Sequence, residues 1–337
     1  MTRKHGRIVL VVFLCLAMLT LSASAAVSKS QKKMRAHRKS VPTKIIRAPR
    51  GPVLHSGSAA VSKSKKKVRV HRKSVRAKII RAPSGPVLHS ASVLVKDQGT
   101  GRLLIQKRTT AVVPIASITK LMTAMVVLDQ DENLQGNLVI QNEDVDRIRH
   151  SHSRLPVGTM LTRREALLLA LMSSENRCAH ALGRTYPGGN RACVVAMNAK
   201  ARALGLSSTR FTDTSGLANG NVSSAHDLAK LVEAAYQYDL IREFTTCRES
   251  ILYAGQRILE YRNSNLLVKN PDWDIGLSKT GYTDEAGRCL VMQAYVANRP
   301  LLIVLLASQG SLTRIGDANR IKKWLEGPSH TATEGKG

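Results

Sequence analysis

Ser117 and Lys120 stand three residues apart in a stretch that otherwise has the pattern of an apolar helix, PIASITKLMTAMVVLD (residues 114–129). Side chains three apart lie on one side of a helical turn, so the hydroxyl and the amine are expected to be neighbours. A serine hydroxyl is a weak nucleophile unless a base takes its proton. A lysine can be that base if burial or a nearby cation keeps it partly neutral. Taken alone, the spacing also fits a surface lysine on an amphipathic helix.

A second polar group follows an apolar helical run. Thr162 and Glu165 have the pattern of a capping box at the start of that run, and the helix is predicted to end near Ser173. Ser174 and Asn176, in MSSENRCAH, then lie on the turn before the next helix. A hydroxyl and an amide placed there can point together into a cleft. The alternative role for both side chains is helix capping.

The third group is Lys279, Thr280 and Gly281, within the strand-like stretch LSKTGYTDEAG. The side-chain period of two in a strand places Lys279 and Gly281 on one face. A glycine on that face allows a ligand to approach the backbone closely. The alternative is a lysine on an edge strand that only discourages aggregation.

The elements that must position these groups follow a simple order. SASVLVKDQGTGRLLIQKR predicts a β-hairpin, and a helical middle follows it. Strand patterns return at ESILYAGQRILEYR, IGLSKTGYT, RCLVMQAYVA and PLLIVLLASQ, and a final helix is predicted around Ile315–Leu325. Strands at both ends with helices between them predict an α/β protein of the α+β type, with one antiparallel sheet and a helical insertion. The reactive groups are expected at the junction of sheet and helices.

The first 25 residues have the composition of a secretory signal. Three basic residues precede an apolar run from Ile8 to Leu21, and Ala-Ser-Ala follows at 23–25 as a cleavage site. The apolar run is shorter than the roughly 20 residues that a spanning helix needs, so an uncleaved anchor is the weaker alternative. The sequence therefore predicts export to the periplasm.

The net charge of +29 belongs mostly to an N-terminal arm. All 23 acidic residues lie at or beyond Asp97, whereas 23 of the 52 Lys and Arg precede it, so residues 97–337 carry only +6. Val27–Ser56 returns 34 residues later as Val61–Ser90, with 24 of 30 positions identical. Each copy contains proline and many like charges but no apolar stripe, which favours a disordered polycation over a helical repeat. We assign residues 26–85 to this arm, 86–327 to the folded domain and 328–337 to a polar tail.

Four cysteines remain after the predicted signal: Cys178, Cys193, Cys247 and Cys289. An oxidising compartment permits disulfides, and four cysteines allow three connectivities, between which the spacing does not choose. The four lack CxxC or histidine-bearing spacing, so no metal site is assigned.

Together, the three motifs resemble the S-x-x-K, S-x-N and K-T-G set of penicillin-recognising serine enzymes. The stretches LMSSEN, TRFTDTSGL and NSNLLVKNPDWDIGLSKTG are similar to low-molecular-mass penicillin-binding proteins, the D-alanyl-D-alanine endopeptidases and carboxypeptidases, over about residues 90–326. This resemblance implies a penicillin-binding protein/β-lactamase-like fold. It also implies a serine DD-peptidase that hydrolyses D-alanyl bonds in peptidoglycan stem peptides and is inhibited covalently by β-lactams, without metal or organic cofactor.

The resemblance implies catalytic roles for three residues. Ser117 would attack the D-alanyl carbonyl and become acylated, Lys120 would accept its proton, and Ser174 would pass a proton to the leaving amine. The backbone N–H groups of Ser117 and Tyr282 would form the oxyanion hole. Water would then hydrolyse the acyl-enzyme.

Substrate-binding roles fall on Asn176, Lys279, Thr280, Gly281 and Tyr282. By the same resemblance, Asn176 would bind the substrate amide and steady the base. Lys279 would supply positive potential that disfavours protonation of the base, and Thr280 would bind polar or carboxylate groups of the substrate.

Two departures favour cleavage of D-alanyl–diaminopimelate cross-links over removal of a terminal D-alanine. Glu175 stands where many carboxypeptidases of this group have glycine, and the chain stops soon after its last helix, without the extra β-domain and anchor of membrane-bound carboxypeptidases. The basic arm lies outside the resemblance, and its expected partners are anionic envelope polymers rather than nucleic acid.

Two other functions stay open at this point. A β-lactamase-like hydrolase would share the first and third motifs but would need a second carboxylate to activate the deacylating water. A non-catalytic, polycationic wall-binding protein would have no reason to retain all three motifs.

Overall fold

The computed structural model describes residues 85–130 and 133–327. The chain divides into two units, residues 1–76 and 77–337, and every described residue belongs to the second. The predicted signal, the polar tail and nearly all of the predicted basic arm lie outside the described residues. Within the described ranges, no helix is both long and apolar enough to span a bilayer.

The described residues contain eleven strands and seven α-helices. The strands are β1 (Ser92–Asp97), β2 (Leu103–Lys107), β3 (Val113–Pro114), β4 (Asn137–Val139), β5 (Met160–Thr162), β6 (Val222–Ser223), β7 (Glu249–Ala254), β8 (Arg257–Arg262), β9 (Asp274–Thr283), β10 (Gly287–Val296) and β11 (Arg299–Ser308). The helices are α1 (Thr119–Asp129), α2 (Arg163–Met172), α3 (Asn176–Arg184), α4 (Gly189–Ala203), α5 (Ala225–Ala235), α6 (Asp239–Thr246) and α7 (Thr313–Leu325). Short 3₁₀ turns occupy Ala116–Ile118, Asn142–Asp144 and Leu266–Lys269.

Five strands form one antiparallel sheet in the order β2-β1-β11-β10-β9. The predicted sheet, built from strands at both ends of the chain, is therefore confirmed. Its two faces follow the side-chain alternation of a strand. Val93 and Val95 of β1 pack in a cluster with Ile321 of α7, whereas Leu94 joins the cluster formed with the helical insertion. Both faces are thus covered, and β9 lies at one edge.

The stretch from Glu249 to Arg262, predicted to be strand-like, folds as a hairpin of β7 and β8 that forms its own two-stranded sheet. Leu252 and Tyr261 are buried, whereas Ile251, Tyr253 and Ile258 are exposed. Local alternation predicted these strands correctly, but alternation carries no information about which sheet a strand joins.

Helix α1 lies inside the domain. Every residue from Thr119 to Val127 is buried, including Lys120. A helix that is buried all round belongs to the core of a domain. The alternative of a surface lysine on an amphipathic helix is therefore excluded.

A buried carboxylate on α7 binds the segment that leads into β1. Asp317 is fully buried and accepts hydrogen bonds from the backbone N–H of His89 and from the N–H and hydroxyl of Ser90, the last two at 2.6 Å. Burial alone would raise the pKa of Asp317, but the hydrogen bonds from Ser90, His89 and Arg320 outweigh it and lower the pKa. The segment just before β1 is thereby tied to the last described helix.

Cys178, Cys247 and Cys289 carry free thiols, so no disulfide joins them. Burial raises the pKa of Cys289 to about 11 and that of Cys178 well above its usual value. Such thiols are protonated at neutral pH and behave as small apolar side chains.

Candidate active site

Ser117 lies on a 3₁₀ turn that immediately precedes α1. Ala116, the residue before it, has a left-handed φ of +48°, which is unusual for any residue but glycine. The Thr119 hydroxyl donates a 2.7 Å hydrogen bond to the Ala116 carbonyl and so holds this turn. Strained backbone of this kind persists where the surrounding structure fixes it, and it is common at functional sites.

Lys120 is 1% exposed, and its Nζ lies 2.7 Å from the Ser117 hydroxyl, 2.7 Å from Oδ1 of Asn176 and 2.6 Å from the Ser215 carbonyl oxygen. Burial lowers the pKa of Lys120 to about 8, against the raising effect of the carboxylates of Asp213 and Glu175. A neutral amine can donate to the amide and carbonyl oxygens and still accept the Ser117 proton. The geometry is therefore suited to proton transfer from Ser117.

Ser174 lies between α2 and α3 with a left-handed φ of +65°. The capping box of Thr162 and Glu165 forms as predicted, α2 ends at Met172, and α3 begins at Asn176. Such a box stabilises the start of a helix by about 1 kcal/mol, so it helps to fix the first residue of α2. The turn directs the Ser174 hydroxyl to accept a hydrogen bond from Nζ of Lys279 at 2.9 Å.

Lys279 projects from edge strand β9 and is only 1% exposed. Burial lowers its pKa well below the usual lysine value, and the charge of Lys120 lowers it further. Each amine thus contacts one serine hydroxyl, Lys120 that of Ser117 and Lys279 that of Ser174, and the two amines are close enough for the charge of Lys120 to act on Lys279. A shared low-dielectric site disfavours protonation of both amines at once.

Asn176 is held by a hydrogen bond from its Nδ2 to the Ser151 hydroxyl at 2.9 Å. This bond orients the amide so that Oδ1 faces Lys120.

Thr280, Gly281 and Tyr282 follow Lys279 along the edge of the sheet. The Thr280 hydroxyl donates to or accepts from the Ser264 hydroxyl at 2.7 Å, and the Tyr282 side chain is 51% exposed. A Cβ added at Gly281 would lie 2.8 Å from the Ile115 carbonyl oxygen. The backbone before Ser117 therefore approaches this glycine closely, which the sequence did not predict.

The structure thus brings together all eight residues singled out from the sequence. Among the described residues, no cluster of three or more His, Cys, Asp or Glu side chains could hold a metal ion. The arrangement offers a hydroxyl beside a buried amine of lowered pKa, and a second hydroxyl beside a second such amine.

Residues 79–310 match the family model of the D-alanyl-D-alanine carboxypeptidases, peptidase family S11. The chain belongs to this family. It is 47% identical to the D-alanyl-D-alanine endopeptidase of Pseudomonas aeruginosa, over 71% of this chain and 78% of that protein. It is 42% identical to the endopeptidase of Escherichia coli K12, over 69% of this chain and 76% of that one.

Among solved structures, the Streptomyces K15 DD-transpeptidase superposes with a TM-score of 0.66 at 28% identity, covering 72% of this chain and 98% of that one. The predicted penicillin-binding protein fold and the predicted family are confirmed by these matches. Like the rest of its family, this chain is a serine peptidase.

Sequence reasoning missed the loop that receives the third hydrogen bond of Lys120. The Asp213 carboxylate accepts from the backbone N–H groups of Ser215, Gly216 and Ala218, and this holds the Ser215 carbonyl toward Lys120. The stretch TRFTDTSGL carried the family resemblance, but nothing in its spacing marks a carbonyl as part of the site.

Gly216 in this S11 peptidase is required by the turn that carries Ser117. Its φ is +86°, and a Cβ added there would lie 2.1 Å from the Ala116 carbonyl oxygen. We expect Gly216→Ala to reduce penicillin acylation at least about a hundredfold, because the clash displaces the backbone of the nucleophile. The left-handed conformation itself costs an alanine only about 1–2 kcal/mol.

Gly158→Ala is the matched control for that variant. Its φ is +87°, but an added Cβ meets no heavy atom of the described residues within 4 Å. Stopped-flow acylation and thermal unfolding of both variants separate the two effects. Equal losses in the two variants would show that backbone conformation, and not contact with Ala116, makes Gly216 necessary.

A second missed feature is an ionic clasp at the rim of the site. Arg149 pairs with Glu285 at 2.7 Å, donates from Nε to the Leu217 carbonyl at 2.7 Å, and also bonds the Asn219 side chain. Hydrogen bonds from Asn219 and Arg149 lower the pKa of Glu285 to about 2. The clasp joins the loop before β5, the loop after Asp213 and the turn after β9, which are three loops that border the site.

Proposed function

We propose that this protein is an exported serine DD-peptidase that cleaves D-alanyl bonds in peptidoglycan through an acyl-enzyme on Ser117. The observation that carries the proposal is the juxtaposition of the Ser117 hydroxyl and the buried amine of Lys120 at 2.7 Å. The pKa of about 8 for that amine leaves a usable neutral fraction near neutral pH. The names of the related endopeptidases and carboxypeptidases support the substrate class.

Acylation begins when neutral Lys120 accepts the Ser117 proton and the oxygen attacks the D-alanyl carbonyl carbon. The backbone N–H groups of Ser117 and Tyr282 bind the oxyanion as it forms. Preorganised donors of this kind are usually the largest single electrostatic contribution to acyl transfer. Because Gly281 packs against the backbone of Ser117, the two N–H groups are held at neighbouring positions.

Collapse of the tetrahedral intermediate breaks the C–N bond and leaves the acyl group on Ser117. Lys279 donates its hydrogen bond to the Ser174 oxygen, so the Ser174 hydroxyl hydrogen can face the leaving nitrogen and protonate it. Asn176 binds the substrate amide and Thr280 binds substrate carboxylate or other polar groups. Water then hydrolyses the acyl-enzyme, and a β-lactam in place of the peptide gives a stable adduct.

We infer that cross-links between D-alanine and diaminopimelate are the preferred substrate. The relatives at 47% and 42% identity are named endopeptidases, whereas a carboxypeptidase relative from Bacillus subtilis is 31% identical. Glu175, where many carboxypeptidases have glycine, is buried and lies beside Ser174.

Digestion of purified muropeptides tests both parts of the proposal. We expect the enzyme to convert cross-linked dimers to monomers and to release terminal D-alanine from pentapeptide monomers at least about tenfold more slowly. Chromatography of the digests gives both rates, and labelling with a fluorescent penicillin reports acylation independently. Terminal D-alanine as the main product would contradict the endopeptidase preference, whereas absence of any covalent label would contradict the DD-peptidase function.

Residues 1–25 are proposed to direct export to the periplasm, and the basic arm is proposed to tether the enzyme to anionic polymers there. Val27–Arg81 carries 19 Lys and Arg and no acidic residue. Stem peptides and other envelope polymers bear negative charge, so an exported polycation meets many partners. Attraction of this type is screened over about 8 Å at physiological ionic strength.

Deletion of residues 27–81 tests the tether. We expect turnover of a small soluble substrate to change less than about twofold, because all eight residues proposed for the site lie outside the arm. Sedimentation with isolated cell-wall sacculi should weaken, and binding of the intact protein should fall steeply with added salt. Unchanged sedimentation of the truncated enzyme, or a collapse of its small-substrate rate, would show that the arm has another role.

A further inference from the structure

A groove lies beside the turn that carries Ser174, and the chemistry described above does not use it. Its first part, of about 460 Å³, is bounded by Ser173 and Glu175, the two neighbours of Ser174 in the chain. Its second part, of about 420 Å³, lies along β7 and β8. Glu260, Tyr261 and Arg262 line both parts. We call this feature the Ser174 groove.

The position of the groove relates it to the leaving group. Ser174 must come within hydrogen-bond distance of the leaving nitrogen to protonate it, so whatever that nitrogen carries begins at Ser174. When the leaving group is a single D-alanine, nothing extends much further. When the leaving amine belongs to a cross-linked residue, an entire second stem peptide must be accommodated beyond Ser174.

The charges in the groove suit a peptide that bears carboxylates. Arg154 and Arg262 line it, and neither guanidinium forms an ion pair within the described part of the chain. Arg154 lies 4.7 Å from the centre of the Tyr261 ring, a cation–π contact that holds it against the groove wall. Its N–H groups remain available for a carboxylate, to which arginine binds in a bidentate manner.

The two acidic residues of the groove further restrict the class of ligand that it can bind. Glu175 already accepts a hydrogen bond from the backbone N–H of Arg177 at 3.1 Å. Glu260, two residues before Arg262 on β8, forms no ion pair among the described residues. A carboxylate beside two guanidinium groups repels a uniformly anionic polymer but accepts the N–H of a peptide bond. The pattern therefore favours a stem peptide over a phosphate-rich polymer.

We propose that the Ser174 groove binds the second, leaving stem peptide of a cross-link, with Arg154 and Arg262 on its carboxylates and Glu260 on its peptide N–H groups. This subsite rests on the endopeptidase function proposed above. It gives that function a structural basis, because the enzyme gains binding energy from a cross-linked substrate that a terminal D-alanine cannot supply.

The double variant Arg154→Ala/Arg262→Ala tests the subsite. We expect kcat/KM for a purified cross-linked muropeptide dimer to fall at least about tenfold, mainly through KM, because two charge-assisted contacts to the substrate are lost. Penicillin acylation and D-alanine release from a pentapeptide monomer should stay within about twofold of the wild type. Arg257→Ala is the matched control, since Arg257 is exposed on the same strand but outside both parts of the groove, and it should behave as the wild type.

The substrate offers a complementary test. The modified substrate is a dimer in which the free carboxylates of the leaving stem are converted to amides. We expect the wild type to cleave this amidated dimer about as slowly as the double variant cleaves the unmodified dimer. The double variant should lose nothing further on the amidated dimer, because the same contacts are already absent.

Each other result overturns the subsite. Equal losses on dimer and pentapeptide would show that the arginines act on the reaction itself, and an unchanged dimer rate would show that they do not touch the leaving stem. In both cases the wild type would still cleave dimers, so the proposed function would stand. A wild type that is labelled by penicillin but cannot cleave dimers would remove the endopeptidase function and the subsite together.

Discussion

Ser117→Ala is expected to abolish covalent labelling by fluorescent penicillin and to reduce hydrolysis of cross-linked muropeptides by several orders of magnitude. Loss of the nucleophile costs on the order of 10⁶ in kcat in a serine peptidase where it has been measured. The change removes one oxygen atom from a residue on a short 3₁₀ turn, so the fold should remain. Circular dichroism and the thermal unfolding midpoint check that expectation beside the labelling gel.

Two observations make that experiment decisive. The Ser117 oxygen contacts Lys120, whereas the Ala116 turn is held by the Thr119 hydroxyl, so removal of the Ser117 hydroxyl leaves the turn intact. Ser174→Ala serves as the comparison, because it removes the other hydroxyl of the site and should still allow an adduct to form. A covalent adduct on the Ser117→Ala protein would show that another residue is the nucleophile.

Acylation is expected to rise with pH through a midpoint near 8. Lys120 must be neutral to accept a proton, and burial lowers its pKa to about 8 from 10.5. Well below that pH the neutral fraction of Lys120 falls tenfold per pH unit and the rate should fall in proportion, whereas above it the rate should level off. Lys120→Ala should slow acylation by about 10²–10⁴ and remove this pH dependence.

The variant Lys279→Gln distinguishes the role of the Lys279 amine from that of the Lys120 amine. It removes the buried amine that bonds the Ser174 hydroxyl, so acylation should slow, whereas the midpoint should stay near 8 because burial, and not the charge of Lys279, lowers the pKa of Lys120. Stopped-flow penicillin acylation between pH 6 and 10 measures both effects. A pH-independent rate in the wild type, or the same midpoint in the Lys120→Ala variant, would mean that another group is the base.

Local patterns in the sequence were sufficient for those parts of the fold that depend on near neighbours. The hairpin of β1 and β2 and the capping box at Thr162 and Glu165 were both predicted, because alternation and capping involve residues close in the chain. The antiparallel sheet followed from strands at both ends of the domain. The separation of the β7–β8 hairpin from that sheet did not, because strand pairing depends on distant partners.

Eight site residues were identifiable because the three motifs resemble those of a known family and each motif is contiguous. Asp213, Gly216 and Arg149 were not identified. They act through backbone groups or through contacts between loops, and neither residue type nor spacing in the sequence indicates such a role. The close approach of the Ile115 carbonyl to Gly281 was not predicted for the same reason, since the two residues are far apart in sequence.

The amino-acid sequence by itself thus determined the family and the antiparallel sheet with its helical insertion, and it supplied the hydroxyl and amine side chains proposed for the site. Only the tertiary structure decided that Lys120 is buried on every side, that the Ser215 carbonyl completes its hydrogen bonds, and that its pKa falls to about 8. Desolvation depends on everything packed around a charge, and those neighbours come from segments as far as 95 positions away.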